Sequence, residues 1–389
     1  MKRIITIITV FAVISGVIVT QDLGAQEPDF YTQQLDSQDT MAGRLRIVQA
    51  AENADTEFYA HALNIVVMAF PGTHENNQLR AADDLAILLS AKLGEAGHTA
   101  SGPDLWRVVD SFSNPLARAE ALTSLGKVQA VDFLPHVIQL LSDINLEPGQ
   151  DPIVREQVAY GAITALEAYQ DSSGYLPVFF VTVGWYSDRV KSRAREALPK
   201  IMDNPTEPLI SVIKSSSYNY ATKLGAIQVL EASSITTQQK SQGAVASLSE
   251  AWRVSTSLVA QQSILALTRK LSLSMIRRYG TEDANVYPLL ERSYREGSDE
   301  EEQIAALAAL AALASDDSAR ILSSFLNDMN VRLARGTLNR EDERMVRVII
   351  PALGNTGRPS ARSTLRAVLL ADWPGAVHVL AQDALKKIP

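Results

Sequence analysis

Histidine is the side chain best suited to bind a metal or move a proton near neutral pH. The chain has five: His61, His74, His98, His136 and His378. No two stand four residues apart and no His-Glu-x-x-His occurs, so a helical zinc site is not expected. A Gly-x-Ser-x-Gly elbow and a phosphate-cradling glycine loop are also missing. The chain has no cysteine, which removes disulfides, thiolate nucleophiles and zinc–thiolate sites. Neighbouring carboxylates could do acid–base work in a cleft. They occur as Asp83-Asp84, Glu300-Glu301-Glu302, Asp316-Asp317 and Glu341-Asp342-Glu343. Glu300–Glu302 and Glu341–Glu343 read more simply as helix openings, where negative charge suits the helix dipole. No residue is assigned to catalysis, a cofactor or a metal.

Two other groups could bind a partner. Tyr175, Phe179, Phe180, Trp185 and Tyr186 crowd into one short stretch, and Tyr218 and Tyr220 follow. Tyrosine and tryptophan bury much area for little entropy loss, so they favour interfaces. The competing reading is a bulky core patch. On the contact-surface reading, replacing Trp185 and Tyr186 together by alanine weakens partner capture more than it lowers the melting temperature. The second group is basic: Arg118, Arg155, Lys191 and Lys223 each follow the first position of a repeat unit defined below. They form either an inner stripe for an acidic partner segment or a structural ladder in which each cation bonds an aspartate or a carbonyl of its neighbour. The candidate partner-binding residues are therefore Tyr175, Trp185, Tyr186, Tyr218, Tyr220, Arg155, Lys191 and Lys223.

The elements that must position these groups are helices. Apolar or small residues recur at a start position and four, seven and eight residues on, which places them on one helix face. Val190, Ala194, Ala197 and Leu198 are the clearest case. The same frame starts at Ala117, Val154, Thr222, Val259, Glu301, Met345 and Val377, at intervals of 32 to 44 residues. That period holds two helices and two turns, the size of a helix-pair solenoid unit. Bulkier apolar segments lie between, including Phe133–Leu141, Leu209–Ile213, Val245–Trp252, Val286–Tyr294, Ile321–Leu326 and Leu365–Leu370. Small residues let axes approach, and large ones fill the gaps. Val178–Val183 is the one strand-like run, and its context makes it helical.

Leu353-Gly354-Asn355-Thr356-Gly357-Arg358-Pro359-Ser360-Ala361, running into Leu365 and Leu369, resembles the junction of HEAT-like repeats. Leu125-Gly126-Lys127-Val128-Gln129-Ala130, running into Leu134 and Leu141, is a second match. Asp151-Pro152-Ile153-Val154-Arg155 resembles the family's entry into the second helix. The resemblance covers about 116–388; the units at 222, 259 and 301 depart from it in their entry turns. It implies an all-α, right-handed α-solenoid of HEAT-like (armadillo-type) helix pairs, used mostly as a protein-binding scaffold, and it brings no catalytic residues. Some HEAT-like proteins look like chromophore lyases, so a lyase-like enzyme subunit is one alternative. A glycan- or peptidoglycan-binding module is another.

The first 25 residues read as a bacterial secretory signal peptide. Lys2 and Arg3 precede an uncharged run, Ile4 to Thr20, and Leu23-Gly24-Ala25 offers a cleavage site before Gln26. The expected location is the periplasm or cell envelope. An uncleaved segment would instead anchor the chain in the inner membrane, its one route to a membrane. Residues 26–40 read as a polar tether, 41–115 as an N-terminal helical segment of degenerate repeats, and 116–389 as the array. The run Gly94–Gly102 is the expected parting between the last two. A net charge of −8 argues against nucleic acid. The expected function is a non-enzymatic protein-binding scaffold or adaptor, with its partner along the concave face and no cofactor.

Overall fold

The structure is a computed structural model that describes residues 28–389; the expected signal segment, 1–25, lies outside them. The first half comprises α1 (Pro28–Asp36), α2 (Met41–Ala50), α3 (Thr56–Ala69), α4 (Asn76–Ala96), α5 (Gly102–Ser111), α6 (Pro115–Lys127), α7 (Leu134–Leu146), α8 (Pro152–Tyr169), α9 (Tyr175–Val183) and α10 (Asp188–Ile201). The second comprises α11 (Thr206–Lys214), α12 (Tyr220–Ala232), α13 (Thr237–Arg253), α14 (Val259–Tyr279), α15 (Val286–Glu296), α16 (Glu300–Leu313), α17 (Asp316–Ala334), α18 (Arg340–Asn355), α19 (Arg362–Leu370) and α20 (Gly375–Lys386). No strand occurs among the described residues. None of their helices is long and apolar enough to cross a membrane.

Each odd helix packs against the even helix that follows it, giving ten pairs in chain order. The even helices also lie side by side, α2 on α4 on α6 on α8 on α10, and again α12 on α14 on α16 on α18 on α20. The molecule is an all-α solenoid. All eight repeat frames fall on even helices, from α6 to α20, and the six bulky segments fall on odd ones. The strand-like run Val178–Val183 lies in α9, whose Val178, Phe179 and Val181 are buried.

Local chemistry sets the helix ends. The Asp151 carboxylate accepts the Val154 N–H and Pro152 fills the first helical position, so α8 starts where a free donor is capped and a missing one costs nothing. Capping boxes open α13 at Thr236 with Gln239, and α18 at Asn339 with Asp342. The acidic runs Glu300–Glu302 and Glu341–Glu343 do occupy the first turns of α16 and α18.

Small residues bring the even helices together. A Cβ added to Gly161 of α8 would lie 2.5 Å from the Ala119 carbonyl oxygen and 2.7 Å from its Cα on α6. The absence of a side chain is what lets these backbones touch.

Several expectations are corrected. Residues 28–36 form a helix rather than a free tether, because Leu35 is buried against its neighbours and His61 on α3 meets Asp36 at 2.7 Å. The Gly94–Gly102 run does not part the chain: α4 continues through Gly94 to Ala96 and lies along α6. The frame is out of phase in two helices. In α14, Val259 is 75% exposed and Leu267 55% exposed, while Leu265, Arg269, Ser272 and Leu273 are buried. In α16 the buried set is Glu302, Ala306, Ala309 and Leu310, one residue later than expected. The cause is charge: Arg269 and Glu302 are both buried and form two hydrogen bonds, of 2.5 and 3.0 Å. Burying either without the other would leave an unpaired charge, so the pair sets the rotation of both helices.

Gly161→Ala is expected to lower stability by roughly 1–3 kcal/mol through overpacking at the contact between α6 and α8. Gly375→Ala, where an added Cβ meets nothing within 4 Å, serves as the comparison. Urea midpoints for the two variants check this; equal midpoints would remove the close-approach argument.

Candidate binding sites

The aromatic cluster divides. Tyr175 and Tyr186 are buried, and Trp185, Tyr218 and Tyr220 are half-buried. Trp185 and Tyr186 stack with centroids 4.2 Å apart and turn back toward the end of α7. The Trp185 indole N–H donates to the Ile144 carbonyl at 3.2 Å, and the Tyr186 hydroxyl donates to Asn145 Oδ1 at 2.7 Å. Burial pushes the Tyr186 hydroxyl well above its ordinary pKa. Tyr218 packs on Phe180, 5.1 Å between centroids. The contact-surface reading of Trp185 and Tyr186 is therefore corrected. Both join one helix pair to the next, so truncating them together removes core and lowers the melting temperature.

The basic stripe is corrected too. Arg118 Nε donates to the Val109 carbonyl at 2.7 Å, and Arg155 donates to the Glu147 carbonyl at 2.9 Å. Lys223 is buried and meets Glu250 at 2.5 Å. Three of the four cations thus bond their own structure. The Lys191 ammonium makes no hydrogen bond or ion pair among the described residues, and the residue is half-buried. A single free cation is not a stripe.

Tyr175 instead lines a cavity of about 580 Å³ between α9, α10 and α12. Its walls are Val183, Leu198, Met202, Val229 and Ala232, and its polar lining includes Arg195, Asp203 and Gln228. The local packing explains the space. Gly225 lets α12 lie directly on α9, where an added Cβ would strike the Val183 side chain. So α12 leans on α9 and stands away from α10, although every other consecutive pair of even helices packs together. No ion pair crosses this gap. By contrast, Glu167 of α8 binds Arg193 and Lys200 of α10, and Lys270 of α14 binds Asp299 and Glu301 at α16.

A second candidate surface is the exposed face of α14. Val259 and Leu267 lie eight residues apart on one helical face, with Ser263 between them and Leu258 just before. This face has the apolar and small composition of a stacking face, yet all four residues are solvent-exposed.

The sequence reading missed the indole ties. Trp252 Nε1 donates to Ser293 Oγ at 2.9 Å and Trp373 Nε1 to Asn330 Oδ1 at 2.8 Å, joining odd helices as Trp185 does. The signal was present: Trp185, Trp252 and Trp373 each stand at or just past the C-terminal end of an odd helix. Among the described residues, no group of three or more histidines or carboxylates is placed to hold a metal.

No family model matches the sequence, and no curated protein matches it. Among solved structures, the chain is similar to human deoxyhypusine hydroxylase in complex with glycerol, at 15% identity over 84% of this chain and 96% of that one, with a TM-score of 0.27. It is also similar to Kap121p bound to Nup53p, at 11% identity over 92% of this chain and 46% of that one, with a TM-score of 0.39. The helix pairs described above define an all-α solenoid fold.

The Lys223–Glu250 pair gives a pH-dependent expectation. Burial pushes the Glu250 carboxyl up, but hydrogen bonds from Arg253 and Lys223 outweigh it and hold the carboxyl below its usual range. A depressed pKa stabilises the fold above the unfolded value, and that contribution is lost as pH falls through the folded one. Glu250→Gln strands the Lys223 ammonium and is expected to cost about 3–5 kcal/mol at neutral pH. Lys223→Met leaves Glu250 its Arg253 partner and costs less. Urea titrations from neutral to acid pH check this: the gap between the parent and Glu250→Gln should narrow in acid, and a constant gap would refute the linkage.

Proposed function

We propose that the chain is a non-enzymatic protein-binding scaffold of the cell envelope. The observation that carries the reading is the uncovered face of α14. Of its frame residues, Ala266 is buried, whereas Val259, Ser263 and Leu267, of the kind that join neighbouring helices elsewhere, face solvent and are covered by no helix among the described residues. Contiguous exposed apolar surface on a folded chain marks an interaction site more often than a structural one. A partner helix or segment laid there would complete the stacking pattern, as helix-in-groove recognition does. The organisation of the molecule supports this. A solenoid satisfies its core by neighbour-to-neighbour contact and leaves long surfaces free. The envelope address is read from Lys2, Arg3, the uncharged run Ile4 to Thr20 and the small residues before Gln26.

Crosslinking in intact cells tests the proposal. A photo-reactive residue at position 267 is expected to capture a discrete protein. One at position 370, where Leu370 is 90% exposed but stands on a different helix, is expected not to. Val259→Asp with Leu267→Asp should abolish capture while the circular dichroism and melting temperature hold, since both side chains face solvent. Capture that survives this double change, or equal capture from position 370, would overturn the assignment. The capturing chain itself should begin at Gln26 by mass spectrometry and fractionate with the envelope.

A further inference from the structure

We infer that the cavity between α9, α10 and α12 is a binding site for a neutral, largely apolar small molecule. The inference stands apart from the partner surface on α14 and does not depend on it.

Size argues first. About 580 Å³ falls within the range of small-molecule sites, roughly 300–1,000 Å³. A single aromatic ring needs only about 150 Å³, so one side chain inserted by a protein partner would leave most of the space unfilled.

The lining argues next. Val183, Leu198, Met202, Val229 and Ala232 offer hydrocarbon. Tyr175 is 1% exposed, and its hydroxyl is buried without a hydrogen-bond partner. Buried hydroxyls are nearly always paired, because a water-free, unpaired one is costly. Tyr169, a buried tyrosine one turn before α9, shows the usual state: its hydroxyl donates to the Ala130 carbonyl at 3.0 Å. Tyr175 therefore lines the wall with its ring, and its hydroxyl lies behind that wall, out of reach of a molecule in the cavity.

Charge decides the ligand's net charge. Arg195 and Asp203 both line the cavity, and neither side chain makes an ion pair or hydrogen bond among the described residues. One cation and one anion cancel, so the site favours neither an anion nor a cation. Both side chains are exposed. They give a polar rim around an apolar floor, the usual layout of a small-molecule pocket.

The geometry also places the site at the one gap in the even row, where α10 and α12 stand apart. A ligand there would touch both halves of the solenoid at once.

Nile red is a suitable probe, being neutral and largely apolar. Titration of the full chain should give saturable 1:1 binding with a blue-shifted emission. Ala232→Trp puts a bulky side chain into the lining from an exposed position on α12, and should weaken binding at least tenfold. Tyr175→Phe keeps the ring and removes only the hydroxyl behind the wall; it should leave Nile red affinity within about twofold of the parent while the melting temperature is unchanged or higher. Val379→Trp, on exposed surface of α20, should leave binding intact. Non-saturable binding, or equal affinity for Ala232→Trp and the parent, would overturn the inference. So would loss of crosslinking from position 267 in Ala232→Trp together with undetectable Nile red binding by the parent, since the cavity would then serve the protein partner. Undiminished crosslinking alongside lost dye binding in Ala232→Trp is the expected pattern, and it keeps the two sites separate.

Discussion

Two helix axes can come only as near as the side chains between them allow. In this chain that distance is set by alanine and glycine at fixed rungs of the even helices. Ala117 and Ala121 of α6, Gly161 and Ala162 of α8, and Ala194 and Ala197 of α10 are all buried where successive helices meet. Close approach has a consequence for the odd helices. With the even row drawn tight, the other side must take up the remaining width, and it does so with Phe179, Leu209, Leu248, Leu290 and Phe325. The curvature of a solenoid follows from such small offsets repeated along the chain.

A tight apolar row says little about rotation or order, and polar groups supply both. Indole donors of Trp185, Trp252 and Trp373 tie one odd helix to another across about one repeat. Backbone acceptors do similar work elsewhere: the Ser124 hydroxyl donates to the Ser90 carbonyl at 2.7 Å, and Gln129 donates to the Ala168 carbonyl at 2.7 Å. Each bond is worth little in net terms, but leaving its buried donor unmade is expensive. Misregister of neighbouring pairs is therefore penalised more than the correct register is rewarded. Arg269 and Glu302 are the extreme case, since a slip would bury two separate charges.

This division explains what could be read from the sequence. The 3.6-residue period and the recurrence of small residues are local, so the eight frames landed on eight even helices and the bulky segments on their partners. The entry at Asp151-Pro152 was legible for the same reason. Phase in α14 and α16 was not, because Arg269 looks like a surface residue until Glu302, 33 residues on, is seen to meet it. The aromatic cluster was misjudged on similar grounds. Tyr186 and Trp185 have the composition of an interface, and only the position of Asn145 and Ile144 shows that the interface is internal. Of the eight candidate residues, Tyr175 alone lines the cavity, and it does so from the buried side rather than as an exposed contact.

The gap between α10 and α12 follows from the same constraint that builds the rest. Gly225 offers a close-approach position, but the surface it meets is Val183 of α9 rather than the α10 helix. Once α12 has leaned onto the odd row, it cannot also lie along α10, and the frame residue Val229 is left facing open space. No ion pair bridges it: the side chains of Arg195 and Asp203 line the gap without a partner among the described residues, unlike Glu167 one pair earlier. The two halves of the solenoid are thus each bound by a continuous even row, and joined chiefly through α9. In a quasi-one-dimensional stack, stability is a sum of neighbour terms, so the weakest junction is where the halves can move relative to each other. A site placed there couples ligand occupancy to that junction, because any molecule binding only when the walls are correctly spaced favours that spacing by its differential affinity.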